Sequence, residues 1–309
     1  MREIKQQTDL LFGGVAVFFF GDILQLRPVK APYIFEEPRS ETFQLAFLTN
    51  SIWEKFKVVL LTYNHRQGED KEYANILNRI RVGNMNEDDV KKLESRVRPI
   101  NHPDIPREAL VVACTNEEVN TVNDNRLSLM ENKLYVTEAI TRTRFKTSLK
   151  PRTDQSGAIL GTPLQRTLQL KVGSKVMLTY NIDTCDSLTK GAFGEVVGFK
   201  FSDNEMVQQV YVEFYNKECG KERRKNFVTL QAKFPGKNVT PIELLEFQYS
   251  LSKQNKSRTA TAIQFPLKLA FAATSHKMEG QTVKKPNILV VDLRKIREAA
   301  QAYVILSRV

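Results

Sequence analysis

An α/β protein carrying a small inserted antiparallel barrel is what this sequence predicts, on three observations. Short apolar runs of strand length recur, each ending in hydroxyl, amide or basic residues: Val15 to Phe20, Val58 to Leu61, Ala109 to Ala113 and Leu267 to Ala273. Helical periodicity follows two of them, over 70–82 and 117–130. From Leu168 the pattern changes to alternation with glycines at the turns, the signature of a small barrel. Strands buried on both faces need continuous apolar sequence, and ligands collect outside their carboxyl ends. The residues just after each run are therefore the candidate site residues.

The composition suits a globular protein, with 41% hydrophobic and 26% charged residues over 309 positions. Lys and Arg number 46 against 35 Asp and Glu, a net charge of +11. Such a balance favours a polyanionic partner, most simply nucleic acid. Cys114, Cys185 and Cys219 are far apart, which argues against a metal cluster and a disulfide framework. Leu10 to Phe20 has the apolar character of a signal-peptide core, yet Gly21-Asp22 is no small-residue cleavage site. No run approaches the ~20 apolar residues that cross a bilayer. The expectation is a soluble intracellular protein with no membrane partner.

Taken in order, Val15 to Phe20 reads as a strand turning at Gly21-Asp22 towards Gln25. An amide donates and accepts, so Gln25 can report a phosphate. Asp22 and Gln25 can equally be turn stabilisers, and the heptapeptide alone leaves both readings open. Residues 30–57 look like loop and helix around Pro32, Pro38 and Trp53. Val58 to Leu61 reads as a second strand leading to Arg66, whose guanidinium can bind phosphate with two hydrogen bonds or pair with Glu69 or Asp70. The helix behind it starts at Asp70 as cap and stops at Gly83. Ala109 to Ala113 is a third strand, ending at Thr115 and Asn116, which can touch a nucleic-acid backbone or cap the next helix.

Residues 131–170 are polar and turn-rich, with Arg142, Arg144, Lys146, Lys150 and Arg152 as a basic or merely solvated run. The barrel occupies about 186–262, with Lys217 to Lys225 as a charged exposed loop and Leu251 to Ala262 as exit linker. Leu267 to Ala273, broken only by Lys268, ends in Thr274-Ser275-His276-Lys277 and Gly280-Gln281-Thr282. Hydroxyls, backbone N–H groups and a His-Lys pair there can hold phosphates. Asn287 to Val291 makes a last strand into Asp292, taken as structural because no Glu follows it. The C-terminal helix delivers Arg308, placed to serve as an arginine finger or as an idle surface residue.

Seven segments, GDILQLRPV, NHRQ, TNEEVNTVN, LKVGSKVMLTYN, KGAFGEVVGF, FPLKLAFAATSHKMEGQT and QAYVILSRV, stand in this order. So arranged, the chain resembles the Pif-type (petite integration frequency) DNA helicases, RecD-like members of helicase superfamily one, from about residue 9 to its end. The resemblance implies two RecA-like domains with ATP between them, single-stranded DNA across both, and an SH3-like barrel inserted in the second. It implies that Gln25 couples the γ-phosphate to DNA, that Arg66 reaches that phosphate and that Arg308 is the finger, with Gly21, Asp22 and Gly280 beside the nucleotide. Thr115 and Asn116, with Thr274, His276 and Lys277, would grip the DNA. Arg27 and Glu279 depart from the family pattern, and Glu279 puts a negative charge beside a phosphate track.

The 309 residues contain neither a G-x-x-x-x-G-K-[ST] loop nor an adjacent Asp-Glu pair, the parts that cradle phosphates and hold magnesium. The magnesium ligands of the family are thus not in this chain. It reads as a C-terminal portion: the tail of a first RecA-like domain (1–57), then a second (58–185 and 263–309) interrupted by the barrel (186–262). The implied activity is five-prime to three-prime, ATP-dependent unwinding of duplex junctions, completed by the N-terminal half of the first domain. Family roles in repair, recombination and telomere maintenance point to the nucleus, with the mitochondrion as the alternative. The rival readings are a non-catalytic single-stranded-nucleic-acid-binding module and a transposon-derived remnant.

Overall fold

Leu110–Ala113, an unbroken apolar run, forms the central strand of a three-stranded parallel sheet, with Ala272–Thr274 beside it at one edge. A computed structural model describes residues 2–28, 31, 33, 35–36, 52–99, 102–106, 109–143, 151–251, 258–280, 282–283, 288–296, 298 and 300–309. They form two units, Met1–Val90 with Glu298–Val304, and Lys91–Arg297 with Ile305–Val309.

The first unit begins with a single helical turn, α1 (Arg2–Lys5), and is anchored by α2 (Lys71–Arg81). Asp70 caps α2 by accepting from Tyr73 N at 2.9 Å, which satisfies a donor the first turn leaves open. Ile76 and Leu77 form its buried stripe. Gly83 ends it at φ +70°, where a side chain would be strained. The expected helix at 70–82 is therefore present. Behind it, α3 (Glu87–Glu94) begins with reciprocal bonds between Asn86 and Asp89. Arg79 grips Asp89 through two bonds of 2.6 and 2.5 Å, tying α2 to the start of α3.

Two expected strands do not form. Val15–Phe20 and Val58–Leu61 belong to no strand, and Phe18, Phe20, Val59, Leu60 and Leu61 are 80–88% exposed. A strand needs a neighbour to satisfy its backbone groups, and the first unit offers none among its described residues. Of the 30–57 stretch, Trp53 lies in a 3-10 turn, Ile52–Lys55. Pro32 and Pro38 lie outside the described residues.

In the second unit, β1 (Leu110–Ala113) leads into α4 (Asn116–Ser128). Strands β2 (Tyr135–Glu138), β3 (Ile140–Arg142) and β4 (Thr167–Leu170) follow, so the polar, turn-rich stretch also contains paired strands. Arg144, Lys146 and Lys150 lie outside the described residues. Next come β5 (Lys175–Leu178), β6 (Phe193–Phe201), β7 (Val207–Phe214), α5 (Lys221–Lys225), α6 (Val228–Lys233), β8 (Val239–Glu243), β9 (Leu245–Ser250) and β10 (Thr259–Gln264). The chain continues with β11 (Leu267–Leu269), β12 (Ala272–Thr274), α7 (Ser275–Met278), β13 (Leu289–Val291) and α8 (Gln301–Leu306).

The parallel sheet has the order β12-β1-β13 and the large antiparallel sheet β11-β5-β6-β7-β8, with β3-β10-β9 and β2-β4 apart. Leu178, Val196, Val212, Ile242 and Leu267 interdigitate in the antiparallel core. This sheet takes in β5 and β11, outside the 186–262 limits expected for the inserted module. The expected loop at 217–225 instead holds α5. Asp186 carboxylate oxygens accept from Glu222 N (2.8 Å) and Arg223 N (2.9 Å), and the Arg224 guanidinium donates to the Cys219 and Lys217 carbonyls. Burial pushes the Cys219 thiol up to about 12, so this cysteine is inert. The exit linker contributes β10, while 252–257 lie outside the described residues. The apolar run at 267–273 is two strands rather than one, β11 antiparallel to β5 and β12 parallel to β1.

Gly194 fixes the spacing of β6 on β7, because a Cβ there would meet Glu213 O and Val212 Cγ1 at 2.7 Å each. Gly194→Ala should cost roughly 1–3 kcal/mol by overpacking. A lowered urea midpoint at unchanged slope would show it.

Candidate nucleic-acid interface

The register of the parallel sheet builds the site. Ala113 of β1 pairs with Thr274 of β12, so the residues after each strand leave the sheet at the same end. Thr115 and Asn116 stand on one side of that edge, Thr274, His276 and Lys277 on the other. The third strand ends beside them, with Asp292 N donating to Val112 O at 3.2 Å. Three carboxyl ends side by side are where an open α/β sheet binds ligands.

Local chemistry assigns part of this set to structure. The Thr115 hydroxyl accepts from Glu118 N, and the Glu118 carboxylate accepts from Thr115 N, both at 3.2 Å. That capping box fixes the start of α4. Lys295 reaches Glu118 at 2.7 Å and holds its carboxyl below the usual range. Asn123 is buried and its Oδ1 accepts from Ala272 N at 3.0 Å, docking α4 on β12. Asp292 is held at about 2, chiefly by its bonds from Arg294, which agrees with the structural role expected of it. Thr274 and Ser275 are buried, His276 and Lys277 half-buried on the one-turn helix α7, and Gly280 leaves that turn at φ +76°.

Behind this edge lies a cavity of about 480 Å³, lined by Asn116, Asn120, Gln165, Lys171, Lys268 and Lys277 among others. Lys268 was legible in the sequence only as the interruption of an apolar run. Here burial, and then the ammonium of Lys277 beside it, push its pKa down to about 6. Asp154 offsets this in part, and Lys190 adds to it. Two lysines on one cavity wall, one of them with its proton held loosely, are suited to an anion.

The nucleotide-side candidates are divided between the units. Gly21, Asp22, Gln25 and Arg66 belong to the first, Arg308 to the second. Asp22 Oδ2 accepts from Gln25 Nε2 at 3.2 Å, while Oδ1 accepts from Leu24 N at 3.1 Å and Arg81 Nη2 at 2.5 Å. Asp22 thus stabilises the turn and orients the Gln25 amide. Arg81, which no sequence pattern singles out, braces Asp22 and lies 5.8 Å from the centre of the Tyr303 ring. Arg66 sits in a turn set by Asn64 Oδ1, which accepts from Arg66 N at 3.0 Å and Gln67 N at 3.3 Å; no strand precedes it. Arg308 lies past α8 and is 2% exposed, so it is not an idle surface residue; its carbonyl accepts from Val283 N at 2.7 Å.

The family model described as PIF1-like helicase matches residues 1–91. The ATP-dependent DNA helicase PIF1 of Danio rerio is 30% identical over 316 residues, covering 99% of this chain and 41% of the relative. The human protein of the same name is 27% identical, again over 99% of this chain and 41% of its own length. A Pif1 helicase from Bacteroides, crystallised with ADP-AlF3 and single-stranded DNA, matches at 25% identity with a TM-score of 0.65. That match covers 99% of this chain and 62% of that one. The chain thus spans about two fifths of the curated relatives' length, and its mixed α/β fold is that of RecA-like helicases.

The depressed Lys268 has a consequence for stability. Between pH about 6 and 10.5 the unfolded chain holds a proton that the folded chain releases, so this residue makes stability rise with pH across that window. Lys268→Met should flatten that slope and raise the melting temperature at neutral pH by a few degrees. Thermal melts of both proteins across the window would check it.

Proposed function

This chain is a relative of the PIF1-like helicases, and from that premise we propose that it is part of an ATP-dependent DNA helicase that moves on single-stranded DNA and unwinds duplex, five-prime to three-prime. The observation that carries this reading is the pairing of Ala113 with Thr274. It sets two family segments, TNEEVNTVN and the ATSHKMEGQT stretch, side by side at the carboxyl ends of parallel strands. Thr274, His276 and Lys277 then grip the strand's phosphates, with Asn116 and Lys277 lining one cavity.

ATP, with its metal, would supply the free energy for translocation. The residues present fit its phosphates chemically. Gln25 offers an amide oriented by Asp22, and Arg66 a guanidinium on a firmly set turn. Gly21 leaves open space, since a Cβ there would meet nothing within 4 Å. Arg308 is assigned the finger role, and Gly280 the turn that joins the DNA grip to the nucleotide. The P-loop and the Asp-Glu pair would come from polypeptide outside these 309 residues. The exposed apolar segment Val15–Phe20 supports this, as a strand of a first RecA-like domain whose partners that polypeptide supplies. The inserted module is assigned as SH3-like, and the working compartment as the nucleus or the mitochondrion.

A second reading, a nucleic-acid-binding module that uses no ATP, is favoured by the absence of a P-loop sequence and by the net charge of +11. Affinity for an oligonucleotide that responds to a non-hydrolysable ATP analogue supports the first reading; indifference to the analogue supports the second.

On either reading, phosphate contacts make affinity fall steeply with salt. Lys277→Ala should weaken binding about tenfold and reduce the salt slope by about one, as read by anisotropy of a labelled oligothymidylate. The chain alone should release no phosphate from ATP in a malachite-green assay with saturating single-stranded DNA; robust turnover would refute the assignment of the P-loop to other polypeptide.

A further inference from the structure

Lys268 stands at the middle of β11, where an apolar side chain would serve the fold better. Its amino group instead lies beside the ammonium of Lys277 at the wall of the cavity, where burial and that neighbouring charge drive its proton off. An anion entering between the two would reverse that balance. The wall around them offers Asn116, Asn120 and Gln165, neutral groups able to complete a hydrogen-bonded seat for an anion.

We propose that Lys268 and Lys277 form a two-ammonium seat for one backbone phosphate of a single nucleic-acid strand, and that Lys268 takes up a proton from solvent as that phosphate enters. The inference rests on the nucleic-acid reading above and adds to it a residue and a coupling. The charged groups that face Lys268 are Lys277 from α7, Asp154 and Lys190 from the loops, with Asp124 and Lys171 on the same cavity wall. Asp154 is the carboxylate acting directly on Lys268, and it offsets burial and Lys277 only in part. A phosphodiester between the two lysines supplies the missing negative charge and returns Lys268 to its protonated form.

Linkage fixes the expected size. From a free value of about 6, binding above that pH draws in close to one proton, so affinity falls about tenfold per pH unit. The pH dependence lies in Lys268; Lys277→Ala would weaken binding and, by removing one positive charge that drives off the Lys268 proton, would also reduce the uptake.

The test is anisotropy of a rhodamine-labelled oligothymidylate at constant ionic strength, at about pH 6.5, 7.5 and 8.5. Calorimetry in two buffers of different ionisation enthalpy accompanies it, for wild type, Lys268→Met and Lys268→Arg. The expected result is proton uptake and a tenfold-per-unit slope in wild type, both lost in Lys268→Met. Lys268→Arg should bind tightly with no slope, because guanidinium stays charged. A slope shared by wild type and Lys268→Met overturns the proposal while leaving nucleic-acid binding intact. Absence of oligonucleotide binding at low salt overturns the nucleic-acid reading itself. In that case, inorganic pyrophosphate that drives a Lys268-dependent proton uptake shows a seat for free phosphate and overturns its assignment to a strand.

Discussion

Three residue pairs, Val111 with Ala272, Val112 with Ala273 and Ala113 with Thr274, hold the second unit's functional edge in place. Parallel pairing sends both chains out of the sheet at the same end, which is why two segments about 160 residues apart present their polar residues together. Small side chains make the approach of α4 close enough for Asn123 to accept from Ala272 N. That bond satisfies a backbone donor on the edge strand of the sheet. A one-residue slip in this register would turn Thr274 to the opposite face and separate the cap of α4 from α7.

The break at Ala270-Phe271 is the second organising feature. Here the chain leaves one sheet and enters another: Ala270 N donates to Lys175 O, and Val111 N to Phe271 O. The antiparallel sheet is therefore not an appendage joined by loops, since one strand of the pair that closes it, β11, runs two residues ahead of the functional strand β12. The same continuity puts Lys268 in reach of Lys277. An insertion that ended in a flexible linker would have left no fixed distance between them.

Much of this was legible from residue types. Asp70 and Gly83 bracket α2 because capping and left-handed closure are local chemistry, and continuous apolar sequence found β1 and β13. Of the two readings open at Thr115 and Asp22, the local one is visible, with the hydroxyl in a capping box and the carboxylate across a turn. What escaped the sequence depends on partners distant in the chain. Val15–Phe20 and Val58–Leu61 have strand composition but no strand beside them among the described residues. Leu267 to Ala273 has one composition and two destinations. Lys268 and Arg81 matter through Lys277 and Asp22, contacts that no spacing rule connects.

The electrostatics of the edge follow from the same assignments. A helix N-terminus attracts anions through its open N–H groups and dipole, and α4 starts at this edge. Its first turn, however, carries Glu117 and Glu118, and Glu118 occupies the Thr115 N–H. The dipole is thus already answered by the protein's own carboxylates, one of them tied to Lys295. Attraction for a polyanion at this place must come from side-chain cations, and the cavity wall supplies them on β11 and α7. The capping residues of TNEEVNTVN accordingly hold the scaffold, while Lys268 and Lys277 of FPLKLAFAATSHK supply the side-chain charge at the cavity wall.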